Sequence, residues 1–267
     1  MCRFSVTHGA ATGRVILWSQ QRLLGRGTTD GEGRSIAQRN RRLSPNPPPQ
    51  KAVADEKQYL RVVLSEARSS LSTERASALS RRVQQRLLAT QAYRAAAKVV
   101  LYAPVGREVE TALIAADALR SHRQLYYPIV DRGLRRIRLG AVSDLGELRP
   151  GAFGILEPPI TGALEDGALV SGLCAALVCV PGIAFTPAAA RLGRGGGYYD
   201  RLIAALPAEA VTAGLGFSFQ LIDRLPEQTH DRRLDLIVTE SAVYAASGAP
   251  HAATQTADQG GLPKWAC

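Results

Sequence analysis

The sequence predicts an α/β fold, a three-layer αβα sandwich around a mostly parallel sheet. Three observations predict it. Short β-branched or apolar runs bounded by proline or glycine alternate with amphipathic stretches at helical spacing, the order expected of strands joined by crossover helices. The chain has 267 residues, 46% of them hydrophobic, enough to bury a sizeable core. Its longest apolar run, Leu173 to Val180, is far too short for a membrane span of about 20 residues and reads as a buried strand.

Each element follows from its local pattern. In KQYLRVVLSEARSSL, Leu60, Val63, Leu64, Ala67 and Leu71 recur at helical spacing, predicting a first helix. Ser72 is then placed to cap a second helix with the stripe Leu79, Val83, Leu87. KVVLYAP (Lys98 to Pro104) is a β-branched run stopped by proline, hence a strand. VETALIAADALR reads as a helix, and QLYYPIV and RRIRLGAV read as strands. LVCVPG (Leu177 to Gly182) is a strand with a Pro-Gly exit. GYYDRLIAAL is a helix, followed by the strands VTAGLGFS and DLIVTE.

The domain organisation is a single α/β domain over residues 51–246, between segments expected to lack fixed structure at 1–50 and 247–267. The first 50 residues hold eight arginines against Asp30 and Glu32, and end in SPNPPPQ, which continues neither a helix nor a central strand. Their arginine-rich, acid-poor composition overlaps with that of transit peptides. A start further downstream, near Val53, is another reading. A tail not needed for folding is the one preferred. The formal charge of +10 is mostly a property of this tail. The remaining excess suits a small anionic ligand better than a duplex, which demands a dense basic stripe. Cys2, Cys174, Cys179 and Cys267 form no C-x-x-C pair, so neither a disulfide scaffold nor a zinc site is expected, and a reducing, cytoplasmic setting is.

The stretch with most chemistry is RLGRGGGYYD, Arg191 to Asp200. Between a strand and a helix, glycines let backbone N–H groups approach an anion, and the helix adds its positive N-terminal dipole. Arg191 and Arg194 supply forked donors for phosphate. The stretch is neither a Walker loop nor a dinucleotide fingerprint, and a plain structural turn is the competing reading. Asp200, one turn into the helix, is either a dipole-complementing acid or a magnesium ligand, because that ion takes one or two carboxylates plus phosphate oxygens. Asp235 is a candidate second carboxylate, with Asp231 and Asp223 left open by spacing alone. On the first helix Lys57, Arg61 and Arg68 fall within about a 40° arc beside the apolar stripe. Such an arc is either a solvated charged face or the rim of a ligand pocket.

Taken together, VPGIAFTPAAARLGRGGGYYDRLI, the downstream HDRRLDLIVTE, the Lys-x-x-x-Arg helix, YAPVGREVET and GILEPP resemble the 5-formyltetrahydrofolate cyclo-ligase (5,10-methenyltetrahydrofolate synthetase) family. The resemblance covers about residues 57–240. It implies ATP- and Mg2+-dependent closure of 5-formyltetrahydrofolate to 5,10-methenyltetrahydrofolate, releasing ADP and phosphate. It implies ATP contacts for Lys57 and Arg61, and a phosphate loop of Arg191, Leu192, Gly193, Arg194, Gly195, Gly196, Gly197, Tyr198 and Tyr199. It further implies magnesium association for Asp200 and Asp235, and folate contacts for Glu108 and for Gly195 to Tyr199. Arg194, Tyr198 and Tyr199 are the catalytic candidates it gives. Family members often carry a polar or charged residue within the segment matching Thr186 to Ala190, where this chain reads TPAAA.

The substrate implied is a small molecule, with or without a polyglutamate tail. A monomer is the expected state, and no membrane partner is expected. His8, His122, His230 and His251 form no cluster and need no role. Two alternatives are a sugar-phosphate isomerase or acyl-transferase on a related sheet, which would need a catalytic base, and nucleic-acid binding through the basic tail with stacking on Tyr126 and Tyr127. Those tyrosines lie in a strand pattern and are expected to be packed.

Overall fold

A computed structural model of the chain describes residues 50–159, 172–226, 231–246 and 250–251. The expectation for residues 1–50 lies outside them except for Gln50. Of residues 247–267 only Pro250–His251 is described. The helices are α1 (Gln50–Ser69), α2 (Thr73–Leu88), α3 (Gln91–Ala95), α4 (Ala112–Arg120) and α5 (Tyr198–Ala205). The strands are β1 (Lys98–Val100), β2 (Gln124–Asp131), β3 (Arg136–Val142), β4 (Arg149–Pro150), β5 (Leu156–Glu157), β6 (Ala176–Pro181), β7 (Ala184–Phe185), β8 (Arg191–Leu192), β9 (Val211–Leu215), β10 (Leu236–Val238), β11 (Val243–Ala245) and β12 (Pro250–His251).

The main sheet has the order β12-β11-β10-β9-β6-β1-β2-β3. Its centre is parallel, from β10 through β9, β6 and β1 to β2. Antiparallel strands close both edges: β3 on β2, and β11 with β12 beyond β10. The α/β fold is therefore as the alternating pattern predicts. Buried on both faces, β6 has no polar alternation. Leu177 and Cys179 pack with α2 and α4, while Val178 and Val180 pack with Phe185 and with Leu202 of α5. Burying each such side chain contributes about 1.5–3 kcal/mol. Ser72 caps α2 as expected, accepting from Arg75 N at 3.2 Å, and Leu79, Val83 and Leu87 are buried beneath that helix. Tyr126 and Tyr127 are buried in β2, which removes them as stacking platforms.

Helix α1 departs from its sequence pattern. Val63 is 40% exposed, while Lys57 and Arg68 are only 8% and 6% exposed. The surface under α1 is itself polar, made of the Gly182 and Gly193 carbonyls and the Asp231 and Glu108 carboxylates. Long cationic side chains bury their stems and find partners there, which Val63 and Ala67 cannot do. Among the described residues, no helix is long and apolar enough to cross a membrane.

This architecture places a site. Strand order reverses around β1, whose neighbours β2 and β6 lie on opposite sides. Open parallel sheets bind ligands beyond the carboxyl ends of their strands at such a switch point.

Candidate active site

A cavity of about 340 Å³ opens there, within the size range of small-molecule sites. Tyr102 and Ala103 follow β1, Pro128 and Val130 come from β2, and Pro181 and Gly182 end β6. Opposite them run Arg191 and then Gly193 to Asp200. Gly182 lacks a side chain because the Phe185 ring takes its place: an added Cβ would lie 2.4 Å from that ring.

The loop is shaped by its glycines. Gly195 and Gly197 sit at φ +98° and +69°, in the left-handed region that L side chains avoid. Gly197 is the residue preceding α5 and supplies no capping side chain. Its turn leaves the helix's first backbone N–H groups for an anion. Arg61 donates through Nε to the Gly193 carbonyl at 2.9 Å, fixing the loop's entry. Arg191, with its side chain 4% exposed, donates to the Pro181 carbonyl at 3.1 Å and to the Asp200 carboxylate.

Glu108 is the buried acid of the cavity wall. Its Oε1 accepts from Arg194 Nη2 at 2.8 Å and Nε at 3.2 Å, and its Oε2 from the Val105 N–H at 3.0 Å. Burial, and then the negative charge of Glu108, push the Tyr199 hydroxyl well above its ordinary value, so it remains a neutral donor at any physiological pH. Tyr198 meets Phe153 edge-to-face, centroids 6.4 Å apart. The arrangement is an anion cradle of glycine backbone and arginine, opening into an aromatic and aliphatic slot with one buried carboxylate.

Residues 53–240 match the 5-formyltetrahydrofolate cyclo-ligase family. The chain belongs to that family. It is 25% identical over 193 residues to the 5-formyltetrahydrofolate cyclo-ligase of Mus musculus, covering 70% of this chain and 94% of the relative. It is 30% identical over 146 residues to the enzyme of the same name from Mycolicibacterium smegmatis, covering 53% and 72% respectively. Among solved structures it is similar to the Aquifex aeolicus 5,10-methenyltetrahydrofolate synthetase, with TM-score 0.60 and 33% identity over 71% of this chain and 92% of that one.

Within this cyclo-ligase the expected site residues divide in two. Glu108, Arg191, Gly193, Arg194, Gly195, Gly196, Gly197, Tyr198, Tyr199 and Asp200 all line the cavity. Lys57, Arg61, Leu192 and Asp235 do not. Lys57 is ion-paired with Asp231 at 2.7 Å and, with Leu192, borders a separate crevice of about 20 Å³. Leu192 is buried and anchors the loop in β8.

Asp235 requires a correction. It precedes β10 and accepts from Thr212 N at 2.9 Å and Thr212 Oγ1 at 2.8 Å, at the start of β9. That is the amino-terminal edge of the parallel strands, with the cavity at their carboxyl ends. Asp235 thus ties two strands together, and the structure does not bring it to Asp200. Spacing offered Asp235 only as one candidate second carboxylate, with Asp231 and Asp223 left open, because spacing does not say which end of a strand meets the ligand.

The TPAAA segment, Thr186 to Ala190, forms the turn between β7 and β8. Ala189 N donates to the Thr186 carbonyl at 2.9 Å. None of its residues lines the cavity. Sequence reasoning missed the apolar wall, Tyr102, Pro128, Val130, Ile137 and Phe153. Phe153 alone left a trace, an isolated aromatic in GAFG; it is exposed at φ +57°, a strained conformation of the kind that gathers at functional sites.

Proposed function

We propose that this cyclo-ligase closes 5-formyltetrahydrofolate to 5,10-methenyltetrahydrofolate at the expense of ATP and with magnesium, through phosphorylation of the formyl oxygen and release of ADP and phosphate. One observation carries the reading: the anion cradle and the aromatic slot share a single cavity, so a phosphoryl donor and a flat heterocycle can meet there. A formamide carbon is a weak electrophile because its nitrogen lone pair delocalises into the carbonyl. Transfer of the terminal phosphoryl group to the formyl oxygen makes that oxygen a leaving group, and the neighbouring folate nitrogen can then close the ring.

The chain's own residues position and neutralise. The backbone of Gly193 to Gly197 and the start of α5 accept the phosphates, and Arg194 and Arg191 offset their charge. Tyr198 and Phe153 hold the ring system, Glu108 accepts from its donor nitrogens, and Tyr199 donates to the formyl oxygen. Arg61 and Lys57 act by setting the loop and the segment around Asp231. For magnesium, Asp200 is a fitting ligand, a carboxylate on the cavity wall beside the cradle, and one carboxylate plus phosphate oxygens suffices for this ion. Among the described residues no cluster of three metal-binding side chains exists. The ion would add positive charge beside the transferred group. A cytoplasmic monomer accepting mono- or polyglutamylated substrate completes the reading; Cys179 is a buried thiol on β6, as a reducing compartment permits.

The test is the methenylfolate absorbance produced from 5-formyltetrahydrofolate, with and without ATP and with and without magnesium. Product formation that is indifferent to ATP would sink the reading.

A further inference from the structure

One carboxylate in the cavity wall serves two arginines. Glu108 Oε1 accepts from Arg194 at 2.8 Å, and Arg68 Nη1 lies 3.7 Å from the same oxygen. The two arginines differ in every other respect. Arg194 sits on the glycine loop with its side chain more than half exposed, and its guanidinium makes no other hydrogen bond among the described residues. Arg68 is buried in the last turn of α1 and also donates to the Gly182 carbonyl at 3.3 Å. That carbonyl, at the floor of the cavity, takes a second donor from Gln220 at 3.1 Å. Arg68 therefore cannot leave, and Arg194 can.

We propose that Arg68 is a positioning residue that keeps Glu108 charge-balanced and in place, so that Arg194 can exchange the Glu108 carboxylate for a phosphate oxygen when nucleotide binds. The inference rests on the reading of the cavity as an ATP site and adds to it how one of its arginines becomes available. Two cations around one anion leave the ligand-free cluster with a net positive charge. Arg68 carries the strain: burial lowers its pKa, Glu108 raises it, and the nearby Arg194 lowers it again. Moving Arg194 onto an anionic ligand relieves that repulsion and leaves Arg68 and Glu108 as a balanced pair. Without Arg68, the departure of Arg194 would leave Glu108 as a buried, unpaired charge, which the interior strongly disfavours. Arg194 would then stay on Glu108 and be lost to the nucleotide.

The experiment is calorimetric titration of the folate-free full chain with a non-hydrolysable ATP analogue plus magnesium. Arg68→Met should weaken binding about tenfold, the size of one charge-assisted contact. Glu108→Gln should bind at least as tightly as the unmodified chain, because Arg194 is released. The double variant should return to within about threefold of the unmodified chain, since removing both buried partners together leaves neither charge unpaired. A purely structural Arg68 would give a double variant as weak as Arg68→Met. That result, or unchanged binding in Arg68→Met, overturns the proposal. Should Arg68→Met not fold, Glu108→Gln decides alone, and weaker binding in it counts against the exchange. No binding of the analogue by the unmodified chain would instead overturn the ATP reading itself.

Discussion

Arg191 and Asp200 are joined by an ion pair across the glycine loop, one end on β8 and the other on the first turn of α5. The pair closes the loop into a ring. It also gives Asp200 a structural task beside the metal contact proposed for it, because the Arg191 side chain is almost fully buried whereas that of Asp200 is 38% exposed.

Asp200→Asn should therefore lower both stability and turnover. Leaving Arg191 without its anion costs on the order of 1–3 kcal/mol, below the figure for a fully buried pair because Asp200 is partly solvated. As the proposed magnesium ligand, Asp200 should also be worth at least ~100-fold in turnover, roughly 2.7 kcal/mol of transition-state stabilisation, with a raised magnesium requirement. Asp235→Asn should leave the magnesium dependence unaltered. Rate against magnesium concentration, with thermal unfolding of each variant, separates these effects. Equal magnesium shifts in both variants would restore the two-carboxylate site.

Gly195→Ala places a Cβ on a residue at φ +98°, a backbone conformation that costs a non-glycine residue about 1–3 kcal/mol. The nearest obstacle is the Arg61 guanidinium, 3.5 Å away, so strain outweighs clash. The loop relaxes by moving, and the expected result is a raised KM for ATP with a small change in melting temperature. A normal KM would mean that the loop does not shape the nucleotide site.

Stability should fall at high pH through Cys179. Complete burial on β6 pushes its thiol up to about 12, from an ordinary 9.0. The folded chain then holds a proton that the unfolded chain releases, so the contribution is fully present below about pH 9 and is lost as pH rises towards 12. Melting temperatures between pH 8 and 11 should decline more steeply for the unmodified chain than for Cys179→Ala. Parallel declines would refute the assignment.

Removing residues 1–47 should leave the melting temperature and turnover nearly unchanged. The family match begins at residue 53 and α1 at Gln50, and the removed segment has no apolar stripe to contribute to a core. A large loss of thermal stability on truncation would show that the basic segment belongs to the fold.

The α/β class, the strands β1, β2, β3, β6, β9 and β10 and the glycine loop were legible in the residues alone, whereas the edge strands β11 and β12 were not. Each legible feature is local. Period and punctuation specify β6 and α2, Ser72 specifies a cap, and four glycines interleaved with Arg191 and Arg194 specify a turn with exposed backbone N–H groups. The same local logic drew Lys57, Arg61 and Arg68 into one arc, and the structure lays that arc along the polar surface beside the cavity. Where the arc and the acids come to lie depends on contacts across the fold. Whether α1 buries Val63 or Arg68 depends on carbonyls and carboxylates supplied by chain more than 35 residues away, and Asp200 is separated from Asp235 by which end of a parallel strand faces the cavity. The apolar wall from Tyr102 to Phe153 is drawn from the end of β1, from β2, from β3 and from the turn at 152–154, so no short window of sequence contains it. Contacts between residues distant in the chain are set by strand order, and periodicity, which reports only the neighbours of each residue, does not encode that order.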